Sequence, residues 1–356
     1  KALTDEKCYV YAQIPATPGY ENCPKIGFIA HLDTVSDFCD KKIVPVVTEN
    51  YDGRDLPLGG SDGRVLSVSM FPHLKDLKGR TLITSNGDTI LGADDKAGVA
   101  EIMTMAERVL TENIPHGQIS IGFTPDADFP VIFCEKGTTG IKGGSKVYDK
   151  GHIEVEYFGG GIADNVVIPT CKLIVKGDIK VAETEGITVT HENGKTIVEA
   201  VGRSAHGSTP HLGVNAAILL LNAVKENEFG GEFQQLMEFL LKEIGTETNG
   251  ESLGVHYVDE ETGETTVNLG IVYYDGEETY FTLDVRYPKN ADPKVVDDTL
   301  INHINSYTFD VLRKNNHKIL YVPKDSELVT KLVHVYEEET GEHLEPLAIG
   351  GGTYAK

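Results

Sequence analysis

The sequence predicts an α/β fold: a mixed-sheet domain, discontinuous along the chain, with an α+β domain inserted into it. Three observations predict it. The apolar run Ile26-Gly27-Phe28-Ile29-Ala30 ends in His31-Leu32-Asp33, as a strand of an open α/β sheet delivers polar groups at its tip. A segment after Asp95 carries Val99, Ile102, Met103, Ala106 and Leu110 at helical spacing. Beyond residue 150 the pattern changes to period-two segments interleaved with helices, then returns to a single helix near the C-terminus.

The elements follow in order. Cys8 to Ile14 and Ile26 to Ala30 read as two short strands. Residues 40–90 are turn-rich, because Asp52-Gly53, Gly59-Gly60 and Asn86-Gly87 interrupt any long element. The helix after Asp95 leads to a strand from Gln118 to Phe123. Lys172 to Lys176 and Thr196 to Val201 alternate as antiparallel strands do. One helix carries Val214, Ala217, Ile218 and Leu221, and a second carries Phe233, Leu236, Met237, Leu240, Leu241 and Ile244. Strands with helices on one face make the inserted domain α+β. A last helix, Leu328 to Glu339, precedes Ala348-Ile349-Gly350-Gly351-Gly352-Thr353-Tyr354.

At 356 residues the chain has room for two cores. A net charge of −23 argues against nucleic acid or an anionic membrane as partner, since both need a basic surface. The five cysteines (Cys8, Cys23, Cys39, Cys134, Cys171) are odd in number and form no C-x-x-C. There is no Asn-x-Ser/Thr sequon and no apolar run near the ~18 residues of a membrane span. A reducing cytoplasm is the expected compartment.

The chemistry lies in two motifs. Successive strand residues face opposite ways, so His31 and Asp33 project to the same side. Gly92-Ala93-Asp94-Asp95-Lys96-Ala97-Gly98 brings two carboxylates to a helix mouth. One of them could serve as a cap for free backbone N–H groups, but capping needs only one. An imidazole together with carboxylates suits a divalent metal and metal-assisted hydrolysis.

These motifs closely resemble the co-catalytic zinc peptidases of the aminoacylase and carboxypeptidase type. Residues 25–121 are similar to the peptidase T branch. Residues 122–356 are similar to the peptidase V dipeptidase branch. That second likeness runs through Gly122-Phe123-Thr124-Pro125-Asp126-Ala127-Asp128-Phe129-Pro130, Glu135-Lys136-Gly137, Ser204-Ala205-His206, Val285-Arg286-Tyr287-Pro288 and Ile349 to Ala355. The chain thus reads as two relatives joined near Ile121-Gly122, natural mosaic or chimera.

The resemblance implies a set of roles. His31 and Asp126 bind one metal, Asp94 bridges two, and Asp33 orients the His31 ring. The cofactors are two divalent metal ions, zinc first, with manganese or cobalt as alternatives. The Asp94–Asp95 peptide bond is expected to be cis. The reaction is attack of a metal-bound water on a peptide carbonyl, with His206 polarising that carbonyl and Asn165 assisting. Arg286 clamps the carboxylate of a short peptide substrate, and Gly351, in a run that does not follow G-x-G-x-x-G, lets backbone approach it. Residues 1–138 plus 311–356 become the catalytic metal-binding domain and 139–310 the lid, in a monomer or a homodimer.

Dipeptidase and tripeptide aminopeptidase activities are both open. The alternatives are an acylamino-acid deacylase and a catalytically dead peptide- or metal-binding relative. Two family features are not found: an adjacent Glu pair after the strand ending near Ile121, and a metal-binding His beyond Gly350-Gly351-Gly352. The expectation is that stretches of polypeptide are missing before Lys1, between Ile121 and Gly122, and after Lys356.

Overall fold

Short apolar runs set the strands of residues 1–126, one of the two compact units into which the chain divides; the other is residues 127–356. The structure is a computed structural model and describes residues 2–4, 6, 10–32, 34, 41–61, 63–122 and 131–351. In the first unit, β1 (Ala2–Thr4), β2 (Val10–Ile14) and β3 (Ile26–Phe28) are followed by β4 (Pro45–Thr48), β5 (Leu56–Pro57), β6 (Val65–Leu66) and β7 (Leu82–Ser85). Then come α1 (Ala93–Thr111) and β8 (Ile119–Ile121). The main sheet has the order β1-β2-β8-β3 and is mixed: β8 runs antiparallel to β2 and parallel to β3.

Against this sheet α1 packs Ile102 and Val109, with Val99, Met105 and Ala106, onto Ile14, Ala30, Ile119 and Ile121. The buried stripe is narrower than the sequence pattern predicts. Met103 and Leu110, expected on it, are 58% and 62% exposed. The spacing 99, 102, 106, 109 uses one helical line, and the two exposed residues flank it.

The second unit begins with β9 (Ile132–Glu135), β10 (Gly137–Lys146), β11 (Val155–Gly160), β12 (Thr170–Lys176), β13 (Ile187–Glu192) and β14 (Lys195–Val201). Helices α2 (Ala216–Val224) and α3 (Gly231–Phe239) follow, the latter continued by a π turn at Leu240–Ile244. Then come β15 (Val258–Asp259), β16 (Gly263–Glu264), β17 (Thr266–Tyr274), β18 (Glu278–Tyr287) and α4 (Pro293–Asn305). The chain finishes with β19 (Asp310–His317), β20 (Leu320–Tyr321), α5 (Glu327–Thr340) and β21 (Leu347–Ile349).

Eight of these strands form one antiparallel sheet, β13-β14-β12-β11-β17-β18-β10-β19. Its apolar face carries Phe158, Leu173, Tyr274, Phe281, Leu283 and Val285 and packs on Leu220, Phe233, Leu236, Phe239, Val296 and Leu300 of the helices. Phe233 anchors this core, with ring centroids 4.9 Å from Phe229, 5.3 Å from Tyr274 and 5.5 Å from Phe158. Helix starts follow their caps. Asn215 accepts from Ala217 N and starts α2, which leaves Val214, predicted inside the helix, 42% exposed just before it. Asp292 caps α4 with Pro293 in its first turn, and Ser326 caps α5, which stops at Gly341 (φ +71).

A second, mixed sheet has the order β20-β9-β21, with β9 antiparallel to β20 and parallel to β21. Val131, Phe133, Cys134, Val329 and Leu344 form its core. The chain enters the large sheet directly after β9 and leaves it directly before β20, so that sheet is an insertion in the small one. It reaches from Gly137 to His317, beyond the predicted 139–310. Among the described residues no helix is long and apolar enough to cross a membrane.

Candidate active site

In residues 1–126 the two predicted motifs meet. Ala30, fully buried, donates its backbone N–H to Gly122 O at 3.2 Å and sets the strand end. His31 follows, with Nε2 2.8 Å from Asp94 Oδ1. Lys96, in the same motif as Asp94, donates to Leu32 O at 3.3 Å and ties the helix mouth to the strand end. Gly92 turns the chain there at φ +76, and a Cβ on it would lie 3.5 Å from Thr34 Cγ2.

The two adjacent aspartates do different work. Asp94 is 78% exposed at its side chain, against 20% for His31. Asp95 is buried: burial pushes its carboxyl up, while hydrogen bonds from the backbone amides of His31 and Gly98 act the other way. Asp95 therefore clasps the strand end and Asp94 presents a carboxylate. The peptide bond between them is cis, and both residues have non-helical φ/ψ at the head of α1.

An imidazole and a carboxylate at this separation, beside a buried carboxylate oxygen (Asp95 Oδ2) with no hydrogen-bond partner among the described residues, have the chemical character of a divalent-cation site. Among the described residues no group of three His, Cys, Asp or Glu side chains gathers to hold a metal. Asp33 and Asp126, the other residues assigned to this site by the sequence, lie outside the described residues.

In residues 127–356 a second cluster brings together His206, Asn165 and Arg286. His206 pairs with Val166 in an isolated β-bridge, and Gly207 N donates to Asn165 O at 2.7 Å. The His206 ring is exposed, with Nδ1 2.6 Å from Ser208 Oγ. Ser208 N also donates to Nδ1, at 3.3 Å. A nitrogen that accepts carries no proton, so the ring proton sits on Nε2, the tautomer an oxyanion donor requires.

Arg286 is 6% exposed. Its Nε and one Nη donate to Asp284 Oδ2 at 3.0 and 2.7 Å, and its other Nη donates to Gly350 O at 2.7 Å. Among the described residues, three of the five N–H groups are thus committed, which leaves two. Asp284 lies two residues before Arg286 on β18, and therefore on the same face; that period-two signal was available in the sequence. Asp284 Oδ2 also approaches Gly207, where a Cβ would lie 2.5 Å away. The glycine contacts fall on Gly350, one residue before the Gly351 singled out from the sequence. A Cβ on Gly350 would lie 2.7 Å from Ser208 Cβ, whereas one on Gly351 would meet, among the described residues, only Ile349 Cδ1 at 3.6 Å.

No family model matches the chain. Over 125 residues it is 50% identical to Peptidase T of Clostridium novyi (strain NT), and over 126 residues 53% identical to Peptidase T of Yersinia pestis (strain Pestoides F). Each match covers 35% of this chain and 30% of the relative, so the chain spans about three tenths of the length of the curated relatives it matches. Among solved structures, a tripeptidase from Staphylococcus aureus subsp. aureus Mu50 aligns with 99% of this chain and 75% of its own at 16% identity and a TM-score of 0.47. The likeness to peptidase T read from the His31 and Asp94 motifs is borne out.

Proposed function

We propose that this chain hydrolyses peptide bonds in short peptides, using two divalent metal ions held by His31, Asp94 and Asp126. The observation that carries the reading is the His31–Asp94 pair at 2.8 Å, in a chain half-identical to peptidase T over some 125 residues. Zinc is the first choice of metal and manganese or cobalt the alternatives, since an imidazole and carboxylates accept all three. Bound there, such ions supply Lewis acidity and bring the pKa of water toward neutrality.

The chain's own side chains do the rest. Asp33 holds the His31 ring. His206 donates from Nε2 to the oxygen that becomes negative, with Asn165 beside it. Arg286 offers its two remaining N–H groups to the substrate carboxylate, and Gly351 lets the substrate's backbone approach. Residues 1–136 with 318–356 act as the metal-binding domain and the inserted residues 137–317 as the lid, in a monomer or homodimer of the cytoplasm. Among the described residues, Cys23 and Cys171 form no disulfide, which accords with a reducing compartment.

The test removes metal with a chelator, then adds zinc or manganese while di- and tripeptide cleavage is followed by chromatography. Activity should vanish and return. His31→Ala and Asp94→Asn should each lower bound metal measured by elemental analysis. Absence of turnover with every divalent ion tried ends the enzymatic reading.

A further inference from the structure

Asn268, near the start of β17, is 2% exposed and takes no part in the chemistry above. Its Nδ2 donates to Asp164 O at 2.8 Å. Its Oδ1 is buried too, and has no hydrogen-bond partner among the described residues. A carbonyl can only accept, so Asp164 O fixes which end of the amide faces it. A buried amide with one end unmet is a poorer core residue than an aliphatic side chain of its size. What Asn268 contributes is therefore local geometry rather than stability.

That geometry concerns the turn 161–166, which carries Asn165. β17 shifts register between Leu269 and Ile271, a bulge at Gly270. The carbonyl oxygens of Ala163 and Asp164 rest against bare Gly270, in space that a Cβ there would occupy. Gly161 opens the turn at φ +88, and a Cβ on it would lie 1.9 Å from Gly270 O. Arg313 pairs with the Asp164 carboxylate from β19. The next contact outward is Asn165 O, which holds Gly207 N beside His206. Asn268 is thus the one buried side chain of β17 that hydrogen-bonds the backbone of this turn among the contacts described.

We propose that Asn268 is a positioning residue: it holds the Asp164–Asn165 peptide on the β17 bulge and, through it, sets Asn165 and His206. Their engagement of substrate rests on the peptidase reading, whereas the holding of the turn does not. Asn268→Leu keeps the volume and removes the amide. Hydrogen–deuterium exchange of residues 161–166 should quicken by about tenfold, the factor one net hydrogen bond is worth, while β12 and β14 stay unchanged. Asn268→Ala repeats the measurement if the leucine variant does not fold.

In the metal-loaded enzyme, Asn268→Leu should lower kcat with KM unmoved, and adding it to Asn165→Ala should cost nothing further. Unchanged exchange at 161–166 overturns the proposal, as do kinetic losses that multiply in the double variant. If the wild-type chain cleaves no peptide, the peptidase reading fails and the exchange result alone decides the positioning role.

Discussion

Arg286 offers the sharpest test of how the second cluster would read a substrate. The structure dictates the form of the perturbation. The Asp284–Arg286 pair is only 10% and 7% exposed at its side chains, so Arg286→Ala would strand a buried carboxylate. Stranding one partner of a buried pair costs about 3–5 kcal/mol, enough to confuse folding with binding. The double variant Asp284→Asn/Arg286→Gln removes both charges and keeps two amides that can hydrogen-bond each other and Gly350 O. Its effect on substrate comes from the two N–H groups that Arg286 leaves uncommitted. Even one hydrogen bond to a charged group is worth roughly 1.5–3 kcal/mol, which at about 1.4 kcal/mol per decade sets a lower bound of some 10- to 100-fold in kcat/KM for the pair. The assay compares a dipeptide bearing a free C-terminal carboxylate with its C-terminal amide, in wild type and double variant. The free acid should lose that factor and the amide should lose almost nothing more than any change common to both. Equal losses for acid and amide would refute the clamp and leave Arg286 as a brace for Gly350.

Two predictions concern stability. Asp297 on α4 is buried, which pushes its carboxyl up, but Lys314, Asn316 and Thr139 hydrogen-bond it and the net result lies below the ordinary value. A depressed folded value means stability that is present above the unfolded pKa of about 3.9 and drains away as pH falls through the folded one. Asp297→Asn should therefore flatten the acid limb of a Tm-against-pH curve below about pH 4, and an acid limb identical to wild type would sink the assignment. Phe233→Ala empties the centre of a four-ring cluster and should cost about 3–5 kcal/mol in denaturant unfolding of residues 127–356; a loss below about 1 kcal/mol would show that the site collapses freely.

What the sequence made legible, and what it did not, divides along the range of the interactions. α5 was predicted as Leu328 to Glu339 and spans Glu327–Thr340, because Ser326 and Gly341 punctuate it locally. α2 begins later than the apolar spacing predicts for an equally local reason: Asn215 caps it, and the apolar Val214 lies before the cap. The β20-β9-β21 sheet had no such signal. Ile132 pairs with Leu347 across an inserted sheet, and neither segment carries a turn that would announce its partner.

The candidate site shows the same division in sharper form. His31 and Asp94 were legible because motif chemistry named them, and the structure sets them 2.8 Å apart. The pairing of Arg286 with Asp284 was legible in principle from strand alternation, but its hold on Gly350, 64 positions further along, was not. Asp94 and Asp95 are the most instructive case, since only the family resemblance sets them apart in the sequence and it gives no physical reason for the difference. Burial distinguishes them. The carboxylate that is sealed in takes the backbone amides of His31 and Gly98, which leaves the exposed one beside the imidazole. A cation drawn to this helix mouth would therefore meet Asp94 first, with Asp95 already spent on holding the strand that delivers His31.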